Sequence, residues 1–192
     1  VDAAAEEAKR FEGLNGGFKI IKCDLADLST VRGFVEEFKI GYKSLDGLVC
    51  NAGLVVMGNE AQMTKDGFEK TIGINYLGHF LLTELLLGTL KATKGSRILM
   101  LSSVVHAGSP NDRPKVHLED LHFKDRPYKA FQAYAEAKVA SVLYAKELAE
   151  RLKDAGVTAV SIHPGWARSN FGGNGIVMNI VRVIMKPFNM FL

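Results

Sequence analysis

Apolar positions along this chain switch between two periods. The run Phe18-Lys19-Ile20-Ile21-Lys22-Cys23 is short, apolar and β-favouring, and predicts a strand. Val31, Phe34, Val35 and Phe38 then fall at i, i+3, i+4 and i+7, the spacing of one helix face, with Ser29 or Thr30 as candidate cap. Residues 45–50 predict a second strand, ended by Asn51-Ala52-Gly53. A helical stretch runs from Thr64 to Leu90 and is apolar nearly all round from Leu77 to Leu87, which predicts burial on most sides. Residues 97–101 predict a third strand, closed by Ser102-Ser103. Residues 104–131 carry Pro110, Pro114 and Pro127 and read as a long loop with little regular structure. A long helix over 133–154, stopped by Gly156, leads to a fourth strand over 157–162 that ends at His163-Pro164-Gly165. Residues 3–11 are helix-like and are broken by the glycines that follow.

Strand and helix therefore alternate four times. Short, mostly apolar strands between helices predict an α/β fold with a parallel sheet covered on both faces. In such sheets ligands bind beyond the carboxyl ends of the strands. Asp24, Asn51-Ala52-Gly53, Ser102-Ser103 and Pro164-Gly165 all follow predicted strands, which makes them the first candidates for function.

Composition narrows the classes. The chain has 192 residues, 47% hydrophobic and 23% charged, so it can bury one domain's core and is not disordered, collagen-like or a disulfide scaffold. A net charge of +3 without a long Lys/Arg run argues against a nucleic-acid stripe. The two cysteines, Cys23 and Cys50, fit a reducing compartment or no cysteine role. His79, His106, His117, His122 and His163 lack the paired spacing of metal ligands, so no metal site is expected. No initiator Met or signal peptide is present, and the chain is expected to be a piece of a longer protein.

Four groups of residues could carry chemistry. Tyr134 and Lys138 lie four apart on one helix, on the same face. An ammonium beside a phenol favours the phenolate, so Tyr134 is expected to have a lowered pKa and to serve as a general acid/base. A single Tyr-x-x-x-Lys is weak evidence by itself. Ser103 could donate a hydrogen bond to a carbonyl oxygen as charge develops there, or could simply close its strand. Asn75 lies inside the apolar helical stretch and must be hydrogen-bonded if buried. It marks either a helix kink that frees a backbone carbonyl for a water, or one satisfied core amide. Asn51-Ala52-Gly53 places small residues where the backbone passes close to something else, or is an ordinary strand-ending turn.

Together these positions resemble the short-chain dehydrogenase/reductase superfamily. Asp24, Asn51-Ala52-Gly53, Asn75-Tyr76-Leu77-Gly78, Ser102-Ser103, Tyr134-x-x-x-Lys138 and Pro164-Gly165 match it in order, spacing and strand-end placement across essentially the whole chain. The run from Asn75 to Thr83, Asp120-Leu121-His122-Phe123 and the run from His163 to Ser169 are similar to the retinol-dehydrogenase-like branch. The resemblance implies a Rossmann-type doubly wound parallel sheet and hydride transfer between NAD(P)(H) and an alcohol or carbonyl. By the same analogy the substrate is apolar and retinal-like or otherwise lipophilic, and the cofactor is NADP(H), with NAD not excluded. Tyr134 would be the proton donor or acceptor. Lys138 would lower its pKa and bind the nicotinamide ribose, Ser103 would hold the substrate oxygen, and Asn75 would anchor a water. Asp24 and Leu25 would meet the adenine. Asn51, Ala52 and Gly53 would line the adenosine and ribose, and Pro164, Gly165, Ala167 and Ser169 would meet the carboxamide, with Trp166 beside the nicotinamide. A homodimer would pair the helices over 64–90 and 133–154.

Three departures from the family pattern matter. The glycine-rich phosphate loop is absent, and with it the first two strands, leaving a partial Rossmann domain over residues 1–192. By the usual strand order the strand before Asp24 would then lie about 14 Å from the strand before Asn51, too far for a Cys23–Cys50 disulfide. Folded alone, that first strand would have no partner. The interval from Ser103 to Tyr134 is longer than the superfamily's usual one, and the loop over 104–132 is expected at the substrate mouth. Residues 175–192 are apolar but carry Arg182 and Lys186, which fits an amphipathic lid or a membrane-surface contact rather than a spanning helix. Localisation stays open between the cytoplasm and an organelle membrane. Two alternatives remain: a non-catalytic truncated scaffold, and a nucleotide-sugar epimerase or dehydratase relative.

Overall fold

The computed structural model describes residue 17 and residues 19–165. The predicted helix over 3–11, the residues Trp166, Ala167 and Ser169, and the segment 175–192 lie outside the described residues. Among the described residues three strands form one parallel sheet in the order β1 (Gly47–Cys50), β2 (Arg97–Leu101), β3 (Thr158–Ile162). Leu48 pairs with Ile98 and Val49 with Leu99, and Leu99 pairs in turn with Val160. Among the described residues no helix is long and apolar enough to cross a membrane.

Helix α1 (Leu28–Gly41) buries Val31 and Val35 as its spacing predicts. Its cap is Asp27, whose carboxylate accepts the Ser29 amide, rather than Ser29 or Thr30. Thr30 instead spends its hydroxyl on the backbone of Asp24 and Asp27. The long apolar helix begins later than Thr64. Thr64 to Phe68 form a turn, and Glu69 caps α2 (Lys70–Ile72) by accepting the amides of Thr71 and Ile72. The helix then widens into a π segment (Gly73–Leu77) and continues as α3 (Gly78–Ala92). Helix α4 (Ala130–Arg151) starts three residues before its predicted position and is stopped through Gly156, which sits at φ 67°.

The core gathers Val31 and Val35 from α1, Leu86 and Leu90 from α3, Leu148 from α4, and Leu48, Ile98, Met100 and Ala159 from the sheet. Strand residues alternate between this core and the opposite face. The helices therefore cover one face only among the described residues, and Val49 stays 57% exposed on the other. The two crossovers, from β1 to β2 and from β2 to β3, are of one hand and step the same way across the sheet, so they deliver their helices to the same side, and α1 packs on α3 there. Residues 19–23 form no strand, because a strand exists only through a ladder and none of the described strands pairs with them. Cys23 instead packs half-buried against the core.

Residues 104–129 are also more ordered than expected. They contain two short 3-10 turns, Val104–Ala107 and Leu118–Asp120, and an antiparallel bridge between Ser109 and Asp112. Arg126 holds the second half in place. Its guanidinium grips the Glu136 carboxylate on α4, bonds the Asp120 backbone oxygen at 3.1 Å, and lies 3.8 Å above the Phe123 ring.

Candidate active site

The three strands deliver Asn51-Ala52-Gly53, Ser102-Ser103 and His163-Pro164-Gly165 to one edge of the sheet. Helix α4 brings Tyr134 and Lys138 to the same edge, and the π segment brings Asn75. Lys138 is buried and its Nζ donates to the Leu101 carbonyl at 2.7 Å. Ser102 Oγ returns a bond to the Lys138 carbonyl at 3.0 Å. The ammonium lies 5.5 Å from the centre of the Tyr134 ring, and the Tyr134 phenol is hydrogen-bonded to Ser103.

Asn75 is buried with both ends of its side-chain amide engaged. Oδ1 accepts the Leu54 amide at 2.8 Å, and Nδ2 donates to the Leu54 carbonyl at 2.8 Å. Its side chain is a satisfied core amide, and the residue sits in a π segment. Its backbone carbonyl accepts from the Nδ1–H of buried His79 at 3.3 Å. Burial lowers the His79 pKa to about 4, so the ring is neutral at pH 7.

Gly53 ties these residues together. A Cβ built there would come within 3.1 Å of Asn75 Oδ1 and 3.7 Å of Lys138 Nζ. The strand-end turn, the π segment and the lysine thus converge on one exposed backbone position. Asp24 and Leu25 reach the same region from the other side. Gly78, the first residue of α3, passes so close to Leu25 that a Cβ would meet its carbonyl oxygen at 2.9 Å. One Asp24 carboxylate oxygen caps the Ala26 amide at 2.9 Å, which leaves the other exposed.

The electrostatics depart from expectation at the tyrosine. Burial raises the Tyr134 pKa, and the Ser103 hydrogen bond opposes that rise without reversing it. The expected lowering by Lys138 is absent from this arrangement because the ammonium is turned onto the Leu101 carbonyl, and burial lowers its own pKa to about 8. Cys50 is no nucleophile here, since burial pushes its thiol up to about 11. His106 turns back onto the Ser103 carbonyl.

The sequence profile of the short chain dehydrogenase family matches residues 1–112. The chain belongs to the short-chain dehydrogenase family. Over its whole length it is 42% identical to retinol dehydrogenase 11 of Mus musculus, covering 58% of that protein. It is 42% identical to retinol dehydrogenase 13 of Homo sapiens over 89% of this chain and 49% of the other. The chain thus spans about half the length of the curated relatives it matches. A crystal structure of an uncharacterized protein from Mycobacterium paratuberculosis superposes with a TM-score of 0.70 at 36% identity, covering 88% of this chain and 57% of that one. A short chain dehydrogenase from Burkholderia cenocepacia, solved in complex with NADP, superposes with a TM-score of 0.72. At 23% identity, covering 95% of this chain and 67% of that one, it supports the fold alone.

In this short-chain dehydrogenase chain the structure brings Asn51, Ala52, Gly53, Asn75, Ser103, Tyr134 and Lys138 to one cleft edge. Asp24 and Leu25 adjoin it through Gly78. Pro164 and Gly165 follow the end of β3, where Ser102 N–H donates to the Ile162 carbonyl at 2.8 Å. Ala167 and Ser169 fall outside the described residues. Sequence reasoning missed Leu54 and His79 as partners of Asn75. His79 carried a signal, four positions after Asn75 and on the same helix face. Leu54 carried none, because its contribution is backbone alone.

The chain's own groups fit a nicotinamide dinucleotide at this edge. Asn51, Ala52 and Gly53 are exposed, and the missing Gly53 side chain leaves room above Asn75 and Lys138. The Lys138 ammonium has three donors, of which Leu101 takes one.

Proposed function

We propose that the protein containing this chain is an NADP(H)-dependent oxidoreductase acting on a lipophilic alcohol or carbonyl. The observation that carries this reading is the Tyr134–Ser103 hydrogen bond, with the Lys138 ammonium one helical turn away. A phenol and a hydroxyl that share one hydrogen bond can both turn to a substrate oxygen placed between them. NADP(H), when bound, supplies or takes the hydride. Tyr134 gives or takes the proton at its phenol oxygen, and Ser103 Oγ orients the substrate oxygen. Lys138 binds ribose hydroxyls with its remaining donors and, once turned from Leu101, stabilises the phenolate. Asn75 fixes the Leu54 strand-end loop, and its backbone carbonyl, which keeps a second lone pair beside the His79 bond, accepts from a water. Asp24 and Leu25 border the adenine, Asn51, Ala52 and Gly53 the ribose, and Pro164, Gly165, Ala167 and Ser169 the carboxamide.

The curated relatives named retinol dehydrogenases support a retinal-like substrate. The same names, with the long segment over 104–132, support an apolar substrate mouth there. Exposed Phe80 on α3 and Leu143 on α4 support a homodimer through those helices.

The test is titration of this chain with NADPH and NADH, read by the quenching of its single tryptophan, followed in the full-length protein by nucleotide binding and by turnover with all-trans-retinal and linear aldehydes. Saturable NADPH binding and aldehyde reduction are expected, with Tyr134→Phe losing about 100-fold or more in kcat. Absence of both binding and turnover in a full-length protein would overturn the reading.

A further inference from the structure

The buried polar groups not used above meet at Tyr128. Its ring is 8% exposed and packs with Val56, Phe123, Ala130 and Ala133 in a second small core. Its hydroxyl donates to the Val56 carbonyl at 3.0 Å. Thr71 Oγ1 lies 3.3 Å away and a Glu69 carboxylate oxygen 3.4 Å away. A phenol has one proton, and the Val56 carbonyl is its nearest acceptor. Thr71 is then the donor to the phenol oxygen.

These contacts join two pieces of chain that Asn75 also joins. Val56 is two residues beyond Leu54, whose backbone exchanges both hydrogen bonds with the Asn75 side chain. Thr71 is in the first turn of the helix that continues into the π segment carrying Asn75. We propose that Tyr128 is a positioning residue for Asn75, tying the loop that Asn75 grips to the helix that bears it.

The rest of the long segment holds Tyr128 in this position. Phe123 meets the Tyr128 ring edge-on at 5.1 Å, although its own backbone sits at φ 55°. A bulky residue in the left-handed region is strained, so it persists only where its surroundings hold it. Here the Arg126 guanidinium covers the Phe123 ring and is itself anchored on Glu136 and Asp120. His122 adds a second tie: its Nδ1 accepts the Glu69 amide at 3.1 Å, which puts the ring proton on Nε2. Glu69 in turn caps the helix through the Thr71 and Ile72 amides, each at 2.8 Å. The segment between Ser103 and Tyr134 is therefore also the brace that sets Asn75.

The meaning of this brace for turnover rests on the oxidoreductase reading, but the brace itself does not. The test is Tyr128→Phe in the full-length protein, read by amide hydrogen exchange at Leu54 and by steady-state kinetics. Leu54 exchange should rise at least tenfold while Ile98 and Met100 in β2 keep their protection. In turnover kcat should fall about tenfold with the KM for NADPH unchanged. Thr71→Val, which leaves the Tyr128–Val56 bond intact, should raise the same exchange by less, and Thr71→Ser should restore it. Unchanged Leu54 exchange in Tyr128→Phe, or a rise matched by the β2 amides, would overturn the proposal. A wild-type protein without turnover would overturn the oxidoreductase reading instead, and Leu54 exchange would still decide the brace.

Discussion

Lys138 and Leu101 are joined by a 2.7 Å hydrogen bond from the buried ammonium to the last carbonyl of β2. That contact, made by this chain's own backbone, fixes the position of the ammonium. It also opposes two stability effects at one residue. Lys138→Met would leave the Leu101 carbonyl without its donor, a loss of about 1–3 kcal/mol. It would also remove a cation whose pKa burial lowers to about 8, a relief of similar size. The expected outcome is a melting temperature within a few degrees of wild type, by calorimetry at pH 7, with turnover lost at least 100-fold. A melting temperature lowered by more than 10 °C would show that the lysine's chief role is structural.

The same lysine sets an alkaline signature. Its folded pKa of about 8 lies below its ordinary 10.5. Between those values the unfolded chain binds the proton and the folded chain does not, so stability contributed by this group rises with pH from about 8 toward 10.5. Above about 10, Tyr134 acts in the opposite sense, because its folded pKa is raised and the unfolded chain loses its proton first. Urea unfolding at pH 7.5 and 9.5 should show wild type gaining stability relative to Lys138→Met. Equal changes in the two proteins would refute the shift.

His79 gives the acid-side counterpart. Burial lowers its pKa from 6.5 to about 4, so the folded ring stays neutral where the unfolded ring is charged. Stability from this group is fully present above pH 6.5 and is lost as pH falls toward 4, by about 3 kcal/mol over that window. His79→Gln should flatten this part of the unfolding profile relative to wild type. Parallel profiles for the two proteins would mean that the histidine is not held neutral.

The positions of β2 and of the helices were legible in the sequence from short apolar runs bounded by turn residues and from the helical period of the apolar positions. Residues 98–101 are a short apolar run closed by Ser102-Ser103, and Val31, Phe34, Val35 and Phe38 share one helix face. The strand expected over 18–23 has the right residues, but a strand is made by its neighbour, and local pattern carries no information about pairing. The candidate site was legible by position, since Asn75, Ser103, Tyr134 and Lys138 do converge. Its electrostatics were not. Spacing put Lys138 beside Tyr134, but only the fold shows the ammonium turned to Leu101 and the phenol buried. The order within residues 104–129 was hidden for a related reason. Arg126 acts on Glu136 and Asp120 through contacts that have no period.

Asn75 offers a test of the site's rigidity. Asn75→Asp keeps an acceptor for the Leu54 amide but removes the donor to the Leu54 carbonyl and buries a carboxylate. The expected cost is about 2–4 kcal/mol in chemical denaturation at pH 7, larger than for Asn75→Ala, where no charge is buried. If Asn75→Asp proves the more stable of the two, the amide clamp is not what holds the loop.

Gly78 and Gly88 lie on one helix and should respond oppositely to the same substitution. A Cβ at Gly78 would meet Leu25 Cβ at 2.8 Å and the Leu25 carbonyl at 2.9 Å, and backbone cannot yield as a side-chain tip can. Gly78→Ala should therefore push the Asp24–Leu25 turn outward, lowering stability by about 1–3 kcal/mol. Because that turn is where adenine is proposed to bind, the Kd for NADPH should also rise at least tenfold. Gly88 has nothing within 4 Å and sits in the exposed interior of α3. Gly88→Ala should stabilise by about 0.5–1 kcal/mol through helix propensity and leave NADPH binding unchanged. Paired urea titrations and NADPH titrations of the two variants decide the matter. A Gly78→Ala protein with unaltered NADPH affinity would separate the Leu25 contact from the nucleotide, leaving it as core packing only.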